Sequence, residues 1–314
     1  MRRFVLIVAL VGMAASGRAQ ETLPLQLVLK PGDVMPLKVV TRQQIEQSIL
    51  AQRRQIEQEV EFRYSVAVDA VDAEGIATAT VTWDGAAIHR TMGGEIVGDE
   101  PMAPAVNADA AARAKLFEAL KGQRFKIRVT PAGEVLGASE TEAAVVRLAE
   151  TLEPANDEER ALMKESLREQ YGDVAMREAM ERVLAIYPEK PVKVGESWTR
   201  SVATTKGFPL IVKSTYTLKE ATADSVVIEE KGEVTSDSKP IANPPSAGSN
   251  SYTLMGGQTG TIALARDTGW YKSAKFSQQA YGRVAYDAGE GMRKTVVPLS
   301  IKTETTIAGR EETQ

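Results

Sequence analysis

Gln43-Gln44-Ile45-Glu46-Gln47-Ser48-Ile49-Leu50-Ala51-Gln52-Arg53-Arg54-Gln55-Ile56-Glu57-Gln58-Glu59-Val60-Glu61 is the stretch on which the fold depends. It is rich in Gln and Glu, with Arg53, Arg54 and Ala51, all good helix formers, and Ile45, Ile49, Ile56 and Val60 sit near helical spacing. A period of two runs through its flanks as well. Leu37, Val39, Thr41, Gln43 and Ile45 alternate with mostly polar neighbours, and Val60, Phe62, Tyr64, Val66 and Val68 alternate with Glu59, Glu61, Arg63 and Ser65. That alternation is the mark of a half-buried strand. A second region arbitrates. Trp198 to Leu218 carries Val202, Thr204, Thr205, Phe208, Pro209, Ile211 and Val212 around the break Gly207-Phe208-Pro209, which reads as a hairpin. Copies of one unit share a fold, so 43–61 reads as two long strands turning near Ala51-Gln52-Arg53-Arg54.

The case for copies rests on order. Lys30-Pro31-Gly32-Asp33 is answered by Lys193-Val194-Gly195-Glu196, Tyr64-Ser65-Val66 by Tyr216-Thr217-Leu218, and Thr130-Pro131-Ala132-Gly133 by Arg266-Asp267-Thr268-Gly269. The offset shrinks from 163 at the first glycines to 152 at the tyrosines and 136 at the last glycines, so the first copy has the longer loops. Asp72-Ala73-Glu74-Gly75 is a turn, after which Ala77, Ala79, Val81 and Trp83 share one parity. Gly/Pro-rich loops follow at 93–106 and, in the second copy, at Asp237 to Ser251.

Between the copies the period changes to helical. Asn107 caps a short helix carrying Leu116, Phe117 and Leu120, with Gly122 past its end. Phe125 to Val129 is a strand turning at Pro131-Ala132-Gly133. Ser139 with Glu142 reads as a capping box ahead of the stripe Val145, Leu148, Ala149 and Leu152. Asn156 with Glu159 repeats the box before Leu162, Met163, Leu167 and Tyr171. Asp173 caps a last helix with Met176, Met180, Val183 and Leu184, stopped by Pro188. The resulting expectation is an α+β fold. Two duplicated long-stranded antiparallel β-meanders form a curved sheet or half-barrel, with an amphipathic helical block between them. The divisions are a signal peptide (1–19), a first β-unit with a short helix (20–138), a helical connector (139–188), a second β-unit (189–309) and a charged tail (310–314).

The amino terminus reads as a secretory signal. Arg2 and Arg3 precede the apolar run Phe4 to Ala15, and Gly17-Arg18-Ala19 offers small residues for cleavage. The run is shorter than the roughly 20 residues a membrane-spanning helix needs. No cysteine follows it for acylation, so the expected location is periplasmic or secreted, without a lipid anchor or a transmembrane segment after cleavage. Cleavage removes Arg2, Arg3 and Arg18 from 38 basic side chains and no acid, leaving 35 against 42 acidic ones. No block of like charge is long enough for a nucleic-acid or membrane footprint, and the sparse aromatics offer no base-stacking platform. Zero cysteines and one histidine exclude thiolate chemistry and most zinc sites.

Ile186-Tyr187-Pro188-Glu189-Lys190-Pro191-Val192-Lys193-Val194-Gly195-Glu196-Ser197-Trp198 resembles a family of exported bacterial proteins known only as a domain of unknown function. The Lys30-Pro31-Gly32-Asp33 step and Asp267-Thr268-Gly269-Trp270 are similar to it too, so the resemblance spans the mature chain. The family implies no catalytic residues. Met35 stands where Trp198 stands in the second copy, an apolar exchange that favours a core role.

Candidate chemistry is thin. His89 lies at a strand end beside Arg90 and Thr91, with no orienting acid in view, and reads as an exposed residue. Neither a Gly-x-Ser-x-Gly elbow nor a phosphate loop occurs. Gly256-Gly257-Gln258-Thr259-Gly260 opens a strand rather than a helix and reads as a bend or bulge. Glu57, Glu59 and Glu61 lie in a row on one strand face, whereas glycosidase carboxylates oppose each other across a cleft. Glu229-Glu230 and Asp157-Glu158-Glu159 read as solvated strand and helix-start residues, and no calcium-loop spacing is present. Met163, Met176, Met180 and Met255 suit either core gaps or an adaptable surface. No catalytic, cofactor or metal residue is therefore assigned. The expected function is a non-catalytic envelope protein binding an apolar, lipid-like or amphiphilic ligand in a concave sheet face. A carrier geometry of this kind resembles the exported lipoprotein-carrier proteins of bacterial envelopes at the level of fold. The alternative is a structural or protein-interaction module with a filled core, whose partner would be another envelope protein; an enzyme ranks third.

Overall fold

The computed structural model describes residues 22–49, 52–92, 110–204, 208–236, 241–242, 249–287 and 295–309. The signal segment, the 93–106 loop, Asn107 and the tail lie outside them. The first strands are β1 (Val34–Ile49), β2 (Gln52–Val71) and β3 (Ala77–Met92). Thus Gln43 to Ile49 and Gln52 to Glu61 belong to two paired strands, with Ile49 opposite Gln52, so Gln52, Arg53 and Arg54 are strand residues; Leu50 and Ala51 lie outside the described residues. Alternation outweighs helix propensity here because each strand is buried on one face by long-range partners. Helix α1 (Ala110–Leu120), β4 (Arg124–Val129) and β5 (Val135–Ser139) follow. Then come α2 (Glu142–Thr151), α3 (Asp157–Tyr171) and α4 (Asp173–Leu184). The chain closes with β6 (Ser197–Thr204), β7 (Leu210–Ala221), β8 (Ser225–Ser236), β9 (Ile241–Ala242), β10 (Ser249–Ala265), β11 (Tyr271–Asp287) and β12 (Thr295–Ala308).

All the paired strands are antiparallel and form one open sheet in the order β5-β4-β3-β2-β1-β12-β11-β10-β8-β7-β6, with β9 on β10. The runs β5-β4-β3-β2-β1 and β11-β10-β8-β7-β6 have the same direction, and β12 joins them. Two leading turns share their hydrogen bonds. Gly32 N–H donates to Val68 O and Gly195 N–H to Leu218 O; Lys30 N–H donates to Asp33 Oδ2 and Lys193 N–H to Glu196 Oε2, both at 2.8 Å. Both glycines have φ of 91°. The turns align Val68 with Leu218, so Ser214 rather than Tyr216 takes the place of Tyr64. A two-residue offset of this kind keeps every side chain on the same face. Met35 lies opposite Val66, and Trp198 lies opposite Tyr216.

The helices cover one face of the sheet. Val145, Leu148 and Ala149 of α2, and Met176, Met180 and Leu184 of α4, join Trp83, Phe125 and Ile228 of the sheet in one core. Leu162 is an exception at 68 % exposed. Helix α4 packs against both β5 and β6, the two edges of the sheet. Its end is tied down by Tyr271 Oη, which donates to Val183 O at 2.5 Å, while Tyr187 Oη donates to Gly269 O at 2.7 Å. Two expected caps are corrected. Ser139 ends β5 and Thr141 precedes α2, its hydroxyl donating to Asp173 Oδ1 instead of capping. Gly172, not Asp173, is the N-cap of α4. Asn156 does cap α3, accepting from Glu159 N–H at 2.8 Å, and Glu159 reaches back to Ala155 N–H.

Turn glycines differ in what surrounds them. A Cβ on Gly133, φ 77°, would stand 1.8 Å from Leu184 O, whereas one on Gly32 would meet nothing within 4 Å. Gly32→Ala should cost about 1 kcal/mol from the positive φ alone, and Gly133→Ala well above ~2 kcal/mol. Urea denaturation of both variants checks this; equal losses would mean that the α4 end yields freely.

Candidate functional site

Side chains on the helix-covered face fall into rows that cross the sheet, because antiparallel partners point the same way. One row is apolar: Phe62, Val39, Ile307, Ala274, Ile262, Ile228 and Leu218, each opposite the next. Three rows further along the strands, the residues are Ile56, Ile45, Ile301 and Ala280. Between them lies a polar row: Arg90, Gln58, Gln43, Thr303, Gln278, Gln258, Gly232, Ser214 and Arg200, one from each of nine strands. Gln58 Nε2 donates to Gln43 Oε1 at 2.5 Å, Gln43 Nε2 to Thr303 Oγ1 at 3.4 Å, and Gln278 Nε2 to Gln258 Oε1 at 3.0 Å. The row separates two apolar clusters, one with the helices and one around Ile45, Leu254 and Leu299.

Glu230 stands beside this row, on the same face, and is 1 % exposed. The expectation that it is solvated is overturned; only Glu229 faces outward, 3.0 Å from Lys219 Nζ. Glu230 Oε1 accepts from Ser214 Oγ at 2.5 Å and Gln258 Nε2 at 3.2 Å, while Oε2 has no partner among the described residues. Burial pushes its carboxyl above the usual range, opposed by those two hydrogen bonds. Two glycines make the space. A Cβ on Gly232 would lie 2.7 Å from Glu230 Oε1, and one on Gly260 would lie 2.4 Å from the Phe276 ring. The Gly256 to Gly260 stretch therefore sits in regular ladder within β10, not at a bulge. At the far end of the row, Arg200 Nε donates to Tyr187 O at 2.7 Å and Nη1 to Glu189 Oε1 at 3.3 Å.

A cavity of about 160 Å³ opens between α3, α4 and the sheet. Phe62, Tyr64 and Trp83 form its sheet wall, with ring centroids 5.9 Å apart for the first pair and 6.2 Å for the second. Tyr171, Met176 and Ala179 line the helix side, with Glu178 and Arg182 one turn apart on α4 and Thr204 reaching in from β6. Burial raises the Tyr171 hydroxyl to about 12. Arg182 is exposed at the mouth, yet protein crowds its guanidinium enough to lower its pKa, against the pull of Glu178. A larger hollow of about 490 Å³ lies open on α2 among Glu142, Arg147 and Glu150. Glu142 there is held by Arg168 through bonds of 2.7 and 2.9 Å, so it is a charged surface dent.

The sequence candidates lie elsewhere. His89 is exposed on the outer face of β3, opposite Glu59, which pairs with Arg42. Glu57 accepts from Gln44 and Gln55, and Glu61 lies 3.1 Å from Lys38 and 3.4 Å from Arg63. Met176 and Met180 are core, whereas Met255 is 55 % exposed within β10. Among the described residues no cluster of three or more His, Asp or Glu could hold a metal ion, and no helix is long and apolar enough to cross a membrane.

A model of a family of unknown function, DUF6263, matches residues 74–271, and the chain belongs to that family. No curated protein sequence matches. Among solved structures, one of lipovitellin that addresses lipid–protein interactions is similar at 10 % identity and TM-score 0.47, over 90 % of this chain and 26 % of its own. The chain thus spans about a quarter of that protein. OccK5 of Pseudomonas aeruginosa has TM-score 0.21 at 4 % identity, over 88 % of this chain and 98 % of its own. An outer membrane channel of Pseudomonas putida F1 has TM-score 0.20 at 8 % identity, over 91 % of this chain and 98 % of its own.

A carboxyl with a raised folded pKa binds its proton more tightly folded than unfolded. The Glu230 contribution is therefore fully present below the unfolded value of about 4.3 and is lost as pH rises through the folded value. Glu230→Gln keeps an acceptor for Ser214 and should flatten that decline, measured as unfolding free energy from about pH 4 to 8. An unchanged decline would place its origin in another group.

Proposed function

We propose that this member of DUF6263 is a non-catalytic exported protein, periplasmic or secreted, that holds an amphiphilic ligand on the covered face of its sheet. The observation that carries the reading is the polar row. Amides and hydroxyls on a face otherwise devoted to apolar packing cost stability unless they bond to something. Gln43, Gln58, Gln258 and Gln278 remain only half-buried, so this band is reachable from solvent beside apolar rows. A surface with both characters side by side suits a molecule with both. The reading includes a half-barrel sheet, supported by α4 meeting both edge strands, and duplicated meanders at 20–138 and 189–309, supported by the matched turns.

The size of the cavity favours a second reading, a protein-interaction module with a filled core. At about 160 Å³ it falls below the ~300–1,000 Å³ of most ligand pockets, so the space as it stands admits one end of an amphiphile.

Two measurements decide. Export predicts a mature amino terminus near Gln20, read by mass spectrometry of the extracytoplasmic fraction; intact Arg2 and Arg3 in cytosolic protein would refute it. Binding predicts saturable quenching of Trp83 by dodecyl-chain amphiphiles below their micelle concentrations. Ala179→Trp, which fills the cavity, should weaken it about tenfold or more with little change in melting temperature. Absence of saturable quenching in the wild type would favour the filled module.

A further inference from the structure

The polar row on the covered face carries no charge over five adjoining strands. From β2 to β10 it reads Gln58, Gln43, Thr303, Gln278 and Gln258, each opposite the next. Glu230 gives these side chains a direction. Its Oε1 accepts from Gln258 Nε2, which leaves Gln258 Oε1 to accept from Gln278 Nε2. The Gln278 carbonyl oxygen then has no partner among the described residues. From the other side Gln58 donates to Gln43 and Gln43 to Thr303 Oγ1, which leaves the Thr303 hydroxyl its own proton to donate. The two chains of hydrogen bonds meet at Thr303 and Gln278, opposite one another on β12 and β11, yet no hydrogen bond joins them among the described residues. The row is thus interrupted where a donor stands across from an acceptor. Side chains so placed have Cβ atoms about 5 Å apart, a gap that one hydroxyl, at once donor and acceptor, closes.

We propose that this break holds a hydroxyl of an uncharged, hydroxyl-rich head group, a sugar or a glycerol unit. The assignment rests on the amphiphile reading above and names the class of head group. A charged head would give up water for amides and hydroxyls with no counter-charge among them. Glu230 is 1 % exposed and its second oxygen is shut off from solvent, so a bulky ammonium does not reach it. Arg90 on β3 and Arg200 on β6 stand at the two ends of the row, away from the break, and Arg200 is held by Tyr187 O and Glu189. One row nearer the helices, opposite Thr305, the half-buried Phe276 ring packs over Gly260 and offers an apolar face to the C–H side of such a head. Val60, Val39 and Phe62 are half-buried too and lead from the row to the cavity under α4, of which Phe62 is a wall, so an attached chain has an apolar course to follow.

Calorimetric titration of the mature protein tests this with dodecyl maltoside, glycerol monolaurate, a dodecyl oligo(ethylene glycol) ether, dodecyltrimethylammonium and dodecyl sulfate, each below its aggregation concentration. Dodecyl maltoside or glycerol monolaurate should bind about tenfold tighter than the ether, which is uncharged but poor in hydroxyls, and than either charged compound. Which of the two leads tells sugar from glycerol. Thr303→Val, which keeps the shape and removes the hydroxyl, should weaken the leading compound about fivefold and leave the ether unchanged. Should that variant not fold, as judged by its melting temperature, Gln278→Met, which keeps the length and removes the amide, replaces it. Equal affinities for all the compounds, a preference for the ether or a charged one, or undiminished binding of the leading compound by the variant overturns the head-group assignment while leaving amphiphile binding intact. No saturable binding of any of them overturns both.

Discussion

The pairing of β1 with β12 is the constraint on which the rest depends. The first meander ends at β1 and the second at β12, and their register, from Lys38 opposite Ala308 to Gln47 opposite Leu299, makes one sheet of the two. Without it each meander would present a long unpaired edge. The same register decides what faces the helices. Leu37, Ile45, Ile301 and Ile307 are all buried on one face, and a slip of one residue would turn one strand's set out to water. The rows across the covered face exist only because this central joint keeps both halves in phase.

A second constraint acts at the end of the sheet where the helices leave it. Tyr187 and Tyr271 are fully buried, and a buried hydroxyl needs a partner. Each donates to a backbone carbonyl across the α4–sheet boundary, which orients the helix end as well as satisfying the ring. The backbone comes very close here. A Cβ on Gly269 would stand 2.1 Å from Gln26 O, and one on Gly309 would stand 1.7 Å from Tyr271 O. The segment from Leu23 to Val28 fills the remaining space, with Leu27 N–H donating to Pro131 O and Val28 N–H to Thr268 O. One short segment thereby links a hairpin turn from each meander.

Much of the fold was legible because period two is a local signal. Val66, Val68, Ala79, Val81 and Trp83 were placed on the buried parity, and all are buried. The helical stripes were legible for the same reason. The caps at Ser139 and Asp173 were misplaced because the capping-box pattern cannot see that β5 continues to Ser139, where its partner Lys126 lies on β4. The site was far less legible. Glu230 shares parity with Val226 and Ile228, and that was the available signal for its burial; the adjacent Glu229 and Lys231 masked it. The polar row could not be read at all. Its members lie between position 43 and position 303, and only the sheet order makes Gln43 the neighbour of Thr303.

That row also explains why the interior has two cores instead of one. An amide turned inward must exchange hydrogen bonds with water for hydrogen bonds with its neighbours, and an isolated one would lose more than it gains. Placed side by side, Gln58, Gln43 and Thr303 supply one another, as do Gln278, Gln258 and Glu230. Most of the penalty is thereby met within the row, and a polar belt can persist between apolar clusters. The residual includes Glu230 Oε2 and Arg200 Nη2, neither of which hydrogen-bonds to a described residue. Glycines at 232 and 260 keep side chains away from that carboxylate, where larger residues would have closed the space. The belt is therefore a run of mutually bonded polar groups set between two apolar clusters, with the buried acid held at its side by Ser214 and Gln258.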